Sequence, residues 1–505
     1  MAIVLPLIIS GCKPEIKGNP PTQAQSCKTY NFTPIAFDGD GDDLSFSIIN
    51  KPTWASFSES SGTLSGTPGQ SDIGMASGIV IDVHADGESA DEPLSFSIAV
   101  IAASDQIPEW TKLEGTGENE LLYGMTTDND GNVITAGYSK KVPEGDKFDV
   151  NVMKVSKTGA LIWSKNYNSS EHEIAYDSAV DSHNNIYISG MTKGNFGDSN
   201  ASCLADGKSD PFVAKLDPAG TMLWARMICS DGTGLARGIA VDANDNVYVA
   251  GNVIGDIDGI AALGKNDTFI AKFDADGTRQ YLTQIGSDDH ESLNSLVVDD
   301  NGNAYMAGNT KGVIGAENLG KDDIFISKIA SDGSIVWTTQ YGSDTTDKNP
   351  AIAIDSVNSM LYVTGQTKGA LETSGVNAGS YDVFLTAMNL DGVISWTKQF
   401  GTDQLDTGED LIVDNNGSIF IAGNTNTVPA AGSTHSDITL RKVSAEGILL
   451  SESLYGTSAK DYAYGISLSE CGFVYIGGYS RGDLNGETHS SALNDRFIMH
   501  IDGSK

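Results

Sequence analysis

Short runs of alternating apolar and polar residues fill most of this 505-residue chain, as in SLNSLVVD from Ser292 and DIFISKI from Asp323. This two-residue period is typical of half-buried β-strands and not of helices. The links between runs are short and contain Asn, Asp and Gly, which tolerate the backbone angles of tight hairpin turns. The pattern therefore predicts an all-β protein.

After Trp110 the strands recur as a unit of four. The third and fourth strands read DPFVAKLDPAGTMLW from Asp210, and further copies begin at Asp149, Asp267, Asp323, Asp382, Asp437 and Asp495. The second strand ends in copies of DNGNAYMAG, the segment that closes at Gly308. Successive copies lie about 55 to 61 residues apart, a spacing typical of solenoids, propellers and arrays.

Four antiparallel strands repeated radially predict a β-propeller, and seven copies predict seven blades. The first recognisable strand, at Trp110, is of the fourth-strand type, whereas the last, Asp495 to Ile501, is of the third-strand type. We therefore expect these two strands to pair. Their pairing would complete the last blade and remove an open sheet edge.

Aromatic residues occupy fixed places in the repeat, and we interpret them as packing positions between blades. The alternative, that one of them stacks against a carbohydrate, stays open. The second strand carries Tyr187, Tyr248, Tyr305, Tyr362, Phe420 and Tyr475; the third carries Phe212, Phe269, Phe325, Phe384 and Phe497; the fourth carries Trp110, Trp163, Trp224, Trp337 and Trp396.

These phrases carry a family resemblance. The pieces D-x-F-ϕ-x-K, D-G-x-x-x-W and G-N-ϕ-Y-ϕ-x-G resemble the bacterial SBBP, or seven-bladed β-propeller, repeat over residues 110–503. The resemblance implies the fold of residues 105–505. It implies no activity, because the shared positions are structural and one fold hosts many functions.

The first residues, MAIVLPLIISGC, end in a segment that resembles the lipobox of bacterial lipoproteins, in which the cysteine carries a diacylglyceryl group. The apolar run is shorter than the roughly 20 residues that span a bilayer. No Lys or Arg precedes it, which departs from the usual signal peptide. The resemblance implies a signal peptide over residues 1–12, lipidation of Cys12, and a tether over residues 13–27. It places the chain in the bacterial cell envelope, lipid-anchored at the outer membrane or cell surface.

Residues 28–104 carry a different set of phrases. They include A-x-D-x-D-G-D-x-L from Ala36, P-x-W-x-x-F from Pro52 and T-L-S-G-T-P from Thr63. These resemble the dystroglycan-type cadherin-like, or putative immunoglobulin-like, domain of bacterial surface proteins. Alternation in the same segment independently predicts a small β-sandwich ahead of the propeller.

Acidic residues in this segment suggest a calcium site. Calcium prefers several carboxylate and carbonyl oxygens, which a Gly-punctuated acidic loop can supply. The cadherin-like resemblance implies calcium ligands at Asp38, Asp40, Asp42 and Asp86. The alternative is a solvated acidic turn.

The links between propeller repeats are also acidic. If the SLNSLVVD type of strand is innermost, these links lie at a channel mouth, where a ring of carboxylates would focus negative potential. We expect such a ring to favour cations or basic ligands; general surface acidity is the alternative. The residues concerned are Glu118, Glu120, Glu171, Glu173, Asp288, Asp289, Glu291, Asp344, Asp347, Asp403, Asp406, Glu409 and Asp410.

The whole chain carries 67 Asp and Glu against 31 Lys and Arg, a formal charge of −36. Nucleic acids and anionic headgroups are poor partners for such a surface. We therefore expect that the protein does not bind nucleic acid. We expect its ligand to be a protein or glycan at the cell surface, and its contact with the membrane to be made through the lipid anchor.

Motifs of catalysis are missing from the sequence: the seven histidines have no metal-ligand spacing, and no G-x-S-x-G elbow or complete phosphate loop occurs. Cys203, in the longest link between second and third strands, and Cys229, at the end of the same repeat, belong on one face. In an oxidising compartment a disulfide between them is as plausible as two free thiols.

These observations predict a surface lipoprotein for calcium-dependent binding, adhesion or scaffolding through the propeller's loop-rich face. The alternative is an extracellular polysaccharide hydrolase or lyase with its site at the channel mouth. A third reading is a purely structural spacer. The residues name no ligand.

Overall fold

The computed structural model describes residues 13–39, 41–69, 72–85, 88–101, 109–115, 119–140, 147–169, 171–197, 203, 207–371, 377–427, 435–469, 472–490 and 493–503. All named elements in these ranges are β-strands, as the alternating pattern predicts. None of the described segments forms a helix long and apolar enough to cross a membrane. The described residues form two compact units, one mainly before residue 109 and one mainly from residue 109 to residue 501.

The N-terminal unit consists of short strands in three small sheets. Its strands are β1 (Glu15–Lys17), β2 (Gln23–Gln25), β3 (Tyr30–Phe32), β4 (Ile35–Phe37), β5 (Leu44–Ile49), β6 (Ala55–Phe57), β7 (Leu64–Gly66), β8 (Gly74–Ala85), β9 (Glu88–Ser89) and β10 (Leu94–Ile101). Strand β1 pairs with β4, the order β2-β10-β8-β5 forms a second sheet with β9 on β8, and β3-β7-β6 form the third.

One apolar cluster joins all three sheets of this unit. Strand β8 shows why: Ile79, Ile81 and Val83 are fully buried, whereas the residues between them are partly exposed. They pack with Phe32 and Leu64 from the third sheet. The alternation read from the sequence is thus the alternation of core and surface.

The repeat unit is formed by longer strands. They are β11 (Trp110–Glu114), β12 (Glu120–Thr127), β13 (Val133–Lys140), β14 (Phe148–Val155), β15 (Leu161–Tyr167), β16 (Glu173–Val180), β17 (Ile186–Thr192), β18 (Asp210–Leu216), β19 (Met222–Met227), β20 (Gly234–Val241), β21 (Val247–Val253), β22 (Asp267–Phe273), β23 (Arg279–Ile285), β24 (Glu291–Val298), β25 (Ala304–Thr310), β26 (Asp323–Ile329), β27 (Ile335–Tyr341), β28 (Asp347–Asp355), β29 (Met360–Thr367), β30 (Asp382–Asn389), β31 (Ile394–Phe400), β32 (Asp406–Val413), β33 (Ile419–Thr427), β34 (His435–Val443), β35 (Leu449–Tyr455), β36 (Asp461–Leu468), β37 (Phe473–Ser480) and β38 (Asp495–Asp502).

These strands form seven antiparallel sheets of four strands each within the described part of the unit. Sheet I contains β12–β15, sheet II β16–β19, sheet III β20–β23, sheet IV β24–β27, sheet V β28–β31, sheet VI β32–β35, and sheet VII β36–β38 with β11. The expected pairing of the first and last strands is confirmed, with Trp110 opposite His500. The first strands contact one another in cyclic order, because β12 contacts both β16 and β36.

The aromatic slots of the second and third strands are core positions. Tyr187, Tyr248 and Tyr305 are fully buried on their second strands, as are Phe212 and Phe269 on their third strands. Their interpretation as packing residues is therefore confirmed for these two strands. No exposed ring remains at these positions for a carbohydrate.

The fourth-strand tryptophans hold neighbouring sheets together. The Nε1–H of Trp337 in sheet IV donates to the Leu390 carbonyl in sheet V at 3.2 Å. A Cβ on Gly392 would lie 2.9 Å from the same indole ring, and Gly392 has a positive φ of 81°. Gly392 is therefore required for two reasons: the turn needs its positive φ, and a side chain there would collide with the indole ring that covers it.

The same contact recurs around the unit. Trp110, Trp163 and Trp224 donate to Lys157, Pro218 and Ala275 carbonyls at 3.0, 3.2 and 3.1 Å. In sheet III the ring is Tyr281, which covers Gly333 of sheet IV. The phrases D-G and W of the repeat are thus two halves of one contact between successive sheets.

The lysine that recurs on the third strand also contacts the turn of the next sheet, and its ammonium group is buried. Lys154 forms an ion pair of 2.8 Å with Asp128 in the first turn of its own sheet, and both side chains are buried. Burial alone would raise the pKa of Asp128, but hydrogen bonds from Lys154 and Asn132 hold it below its usual value. Lys154 also donates to the Pro218 carbonyl of the next sheet at 3.5 Å.

We predict that the indole contact carries measurable stability. Trp337→Phe keeps a ring over Gly392 but loses the Nε1–H donor, and should cost about 1 kcal/mol of unfolding free energy. Trp337→Ala also removes the packing and should cost about 3 kcal/mol. Denaturant unfolding measures both.

The matched control is Val336→Ala, on the same strand, where the side chain is 53% exposed. It should change the unfolding free energy by less than about 0.5 kcal/mol. Equal effects at Trp337 and Val336 would contradict the assigned role of the indole.

Candidate functional site

Each first strand of the seven sheets carries a register shift at the same place. In β12 the pairing with β13 skips from Leu122 to Gly124, so Tyr123 is the extra, bulged residue. The equivalent residues in the other sheets are Tyr176, Arg237, Asn294, the pair Asn349 and Pro350, Glu409 and Tyr464. Bulges re-aim a side chain and often lie beside functional sites.

A repeated glycine makes room for each bulge. A Cβ on Gly251 of β21 would lie closer than 3.0 Å to the Leu235 carbonyl oxygen, just before the bulged Arg237. The same backbone clash would occur at Gly137, Gly190, Gly308, Gly365, Gly423 and Gly478. The glycine that closes each copy of DNGNAYMAG is therefore required by the bulge on the neighbouring strand.

The bulged side chains of neighbouring sheets meet one another. The Tyr123 ring lies 5.3 Å from Tyr176 of sheet II and 5.1 Å from Tyr464 of sheet VII, measured between ring centroids. The Arg237 guanidinium of sheet III lies over the Tyr176 ring at 5.2 Å. Tyr464 in turn contacts Tyr462 at 5.1 Å.

The last member of this row is a carboxyl group. The Tyr462 hydroxyl donates to Glu409 Oε1 of sheet VI at 2.8 Å. Six side chains from five sheets therefore form one continuous row on the first strands, which we call the inner arc. Its members are Arg237, Tyr176, Tyr123, Tyr464, Tyr462 and Glu409.

The inner arc combines flat aromatic faces with one cation and one carboxyl. Burial raises the pKa values of Tyr123, Tyr176 and Tyr464 above the ordinary value of 10.0, so these phenols stay protonated donors even in alkaline solution. Burial also raises the pKa of Glu409, against the opposing hydrogen bonds from Thr407 and Tyr462. Arg237 is exposed. The arc can stack a ligand and bind its polar groups at both ends.

Two aspartates directly follow bulged residues. Asp177 accepts the Ile239 N–H of the next sheet at 3.1 Å, and Asp410 accepts the Ile466 N–H at 3.0 Å. Burial raises the pKa of each carboxyl to about 7, although these backbone donors oppose the shift. They join adjacent first strands beneath the arc.

The expected ring of open carboxylates is wrong for the acids that begin first strands. Glu291 is fully buried and accepts the Ser287 N–H at 2.8 Å and the Thr310 hydroxyl at 2.6 Å. Similarly buried are Glu120, Glu173, Asp347, Asp406 and Asp461. A carboxylate at the start of a first strand accepts hydrogen bonds from the N–H groups of the preceding turn, and it is therefore buried and not exposed as surface charge. Asp288, Asp344 and Asp403 remain exposed.

The predicted calcium ligands are only partly described. Asp38 Oδ2 accepts the backbone N–H groups of Gly41 and Asp42 at 2.9 and 3.1 Å, and Asp42 is exposed. Asp40 and Asp86 lie outside the described residues, as does the predicted lipidation residue Cys12. Leu44, which follows the loop, pairs with Ala85 at the end of β8.

The structure joins Cys203 and Cys229 in a disulfide with a Cα–Cα distance of 4.9 Å. The bond ties the segment before β18 to the segment after β19 in sheet II. The disulfide alternative is therefore the one present in the structure.

A group of potential metal ligands, Asp181, His183 and Asp245, lies at the turns of sheets II and III. Asp181 is already occupied by the N–H groups of His183 and Asn185 and by the Lys215 ammonium at 3.2 Å. The group is therefore explained as a turn-to-turn contact.

The inner arc was missed from the sequence, although a signal for it was present. A glycine inside a strand pattern indicates a bulge on that strand or its partner. Read this way, the repeated glycine would have pointed to the variable fourth position of the preceding strand, where Tyr123, Tyr176, Arg237, Glu409 and Tyr464 stand.

Comparisons with known proteins agree with the fold. Residues 280–315 and 395–427 match the family model SBBP, described as a beta-propeller repeat. Each matched segment runs from a fourth strand into the first two strands of the next sheet. The chain therefore contains β-propeller repeats, as the resemblance implied.

Two curated relatives match parts of the chain. The regulatory protein FlaEY of Caulobacter vibrioides is 30% identical over 183 residues, which are 33% of this chain and 19% of that protein. An uncharacterised WD repeat-containing protein of Acanthamoeba polyphaga mimivirus is 23% identical over 37% of this chain and 17% of its own length. The chain thus spans less than a fifth of either relative.

Solved structures also resemble this chain. A protein of unknown function from Bacteroides thetaiotaomicron is 12% identical with a TM-score of 0.40, covering 97% of this chain and 98% of that one. A polysaccharide lyase described as an ulvan lyase is 9% identical with a TM-score of 0.46, covering 78% and 96%. At these scores and identities, the likenesses carry no conclusion about activity.

We predict that the aspartates beneath the arc make stability depend on pH. Their folded pKa of about 7 lies above the ordinary value of 3.8, so the folded state holds more protons between these values. The stability they contribute is complete below about pH 4 and is lost as the pH rises through about 7. Thermal melts from pH 4 to pH 8 should show this decline.

Asp177→Asn with Asp410→Asn should flatten that decline. Asp217→Asn is the control, because the hydrogen bond from the Thr221 N–H lowers the pKa of Asp217, which therefore titrates below this window. An unchanged slope in the double variant would contradict the assignment.

Proposed function

We propose that the chain is a lipid-anchored binding protein of the bacterial cell envelope, a seven-bladed β-propeller preceded by an immunoglobulin- or cadherin-like sandwich. The seven four-stranded sheets, the cyclic contacts of their first strands and the pairing of β11 with β38 support the propeller. The shared core of the small N-terminal sheets supports the sandwich. The envelope location and the anchor rest on the lipobox resemblance at Cys12.

The inner arc is the observation that carries a binding function. The bulged positions lie outside the fully buried core that holds the aromatic residues of the second and third strands. In five of the sheets the chain fills them with the polar and aromatic side chains of the arc. Aromatic faces beside hydroxyl, guanidinium and carboxyl groups suit a carbohydrate, whose rings offer apolar faces and hydroxyl edges. We therefore propose a glycan ligand, with a protein ligand as the alternative.

A second candidate is a polysaccharide hydrolase or lyase acting at the same place. One observation favours it: Glu409, with its raised pKa, is hydrogen-bonded to the Tyr462 phenol at 2.8 Å. A carboxyl and a phenol in contact are suited to proton transfer. Binding remains the first proposal, because it requires only the row of rings.

Calcium is proposed for the N-terminal unit. The loop that contains Asp38 and Asp42 enters β5 at Leu44, opposite the end of β8 at Ala85. Asp86 directly follows Ala85 in the sequence, and we propose that it shares one calcium ion with Asp38, Asp40 and Asp42. Calcium would order the N-terminal unit.

Binding of neutral and acidic polysaccharides to the purified chain tests the first proposal. Tyr123→Ala and Tyr464→Ala should each weaken glycan binding about tenfold, because each loses a stacking contact of about 1 kcal/mol or more. Tyr464→Phe keeps the ring and should bind within about threefold of the parent. Isothermal calorimetry measures the affinities.

The control is Leu223→Ala on an outer strand, where the side chain is 53% exposed. It should leave glycan affinity unchanged. Retained binding in both tyrosine variants would contradict the arc as the site. Shortened or unsaturated products during the assay, lost in Glu409→Gln, would favour the enzyme instead.

A calcium titration with thermal melts tests the N-terminal proposal. Calcium should raise the melting temperature of the N-terminal transition, and Asp40→Asn with Asp42→Asn should abolish that rise. Asp91→Asn, an exposed carboxylate of the same unit, is the control. The proposal fails if calcium shifts the double variant as much as the parent.

A further inference from the structure

Two interfaces between successive sheets bury a pair of carboxyl groups. Asp267, which begins β22 in sheet III, lies beside Glu291, which begins β24 in sheet IV. Asp323 of sheet IV and Asp347 of sheet V repeat the arrangement. All four side chains are at most 1% exposed.

One oxygen of each third-strand aspartate is well bonded. Asp267 Oδ2 accepts the Leu263 N–H and the Gln284 amide, both at 2.8 Å. Asp323 Oδ2 accepts the Leu319 N–H at 2.9 Å and the Gln340 amide at 3.2 Å. The other oxygen, Oδ1 of both residues, has no hydrogen-bond donor among the described residues.

That second oxygen faces the neighbouring carboxyl group. A Cβ on Gly342 would lie 3.0 Å from Asp347 Oδ2 and closer still to Asp323 Oδ1. A Cβ on Gly286 would lie 3.1 Å from Glu291 Oε2 and closer still to Asp267 Oδ1. Each glycine thus lets two buried carboxyl groups from successive sheets approach the same point.

Other interfaces of the same unit solve this problem with protein groups. Between sheets II and III the second acid is replaced by Gly234, and Asp210 Oδ1 accepts the Ser230 N–H at 2.8 Å and its hydroxyl at 3.1 Å. Between sheets V and VI, Asp382 Oδ1 also has no hydrogen-bond donor among the described residues, but this interface holds a cation, because the buried Arg441 guanidinium lies 3.6 Å from Asp406. The two interfaces with paired acids have no such cation: among the described residues, no lysine or arginine forms an ion pair with Asp267, Glu291, Asp323 or Asp347.

We propose that a divalent cation, calcium by its preference for oxygen ligands, binds between Asp267 and Glu291, and a second between Asp323 and Asp347. Two buried carboxylates without a counter-charge are strongly unfavourable. One divalent ion neutralises both, whereas a monovalent ion or a single proton leaves one charge. These sites are separate from the loop at Asp38 and do not depend on the glycan proposal.

Equilibrium dialysis of the chelator-treated full chain against calcium, with elemental analysis, tests the proposal. About two ions per chain should bind to the repeat unit and raise its melting temperature. Asp323→Asn should lose one ion and Asp267→Asn the other, while the double variant loses both. Asp347→Asn provides a second variant at the same site if Asp323→Asn does not fold.

The matched control is Asp382→Asn, the equivalent residue of sheet V, whose interface contains Arg441. It should leave the ion count unchanged, and Asp42→Asn should affect only the N-terminal ion. No ion bound to the repeat unit would overturn the proposal and assign the extra oxygens to a shared proton or a buried water. Equal loss in Asp323→Asn and Asp382→Asn would also overturn it.

Discussion

The repeat unit depends on the contact between a fourth-strand aromatic ring and the glycine turn of the next sheet. A single four-stranded sheet cannot bury both of its apolar faces, so each sheet needs a neighbour on either side. The indole of Trp337 on Gly392 sets the distance and the register of one such neighbour, and its Nε1–H satisfies a turn carbonyl. Where Tyr281 replaces the indole, the ring still covers Gly333, so the packing is kept.

A second constraint separates the scaffold from the candidate site. The bulge of each first strand is permitted by a glycine on the second, as Gly251 permits the bulge at Arg237. The glycine belongs to the repeat, whereas the bulged residue is excluded from the packed faces. Its side chain can therefore vary without loss of the fold, which explains why tyrosine, arginine and glutamate occupy equivalent positions in sheets I, III and VI.

The sequence was sufficient for those features that recur in it. Strand period, turn residues and the type of strand at Trp110 and Asp495 predicted the four-stranded units and the pairing that joins their ends. The recurring pattern did not predict which acidic residues are buried and which are exposed. Glu291 and Asp288 stand three residues apart in one acidic link, yet one is fully buried and the other exposed. Only the folded turn, in which Ser287 donates to Glu291, distinguishes them.

The burial of acids follows from how a strongly acidic chain builds interfaces. Carboxylates are good acceptors for the N–H groups of turns, but each one that is buried needs a compensating charge. The chain supplies lysine at Asp128 and arginine at Asp406, and it omits the second acid beside Asp210. Equivalent interfaces therefore differ in their electrostatics although their backbones are alike. The repeated backbone determines the positions at which carboxylates are buried. The side chains around each position determine whether a cation, a hydrogen-bond donor or the absence of a second acid compensates the buried negative charge.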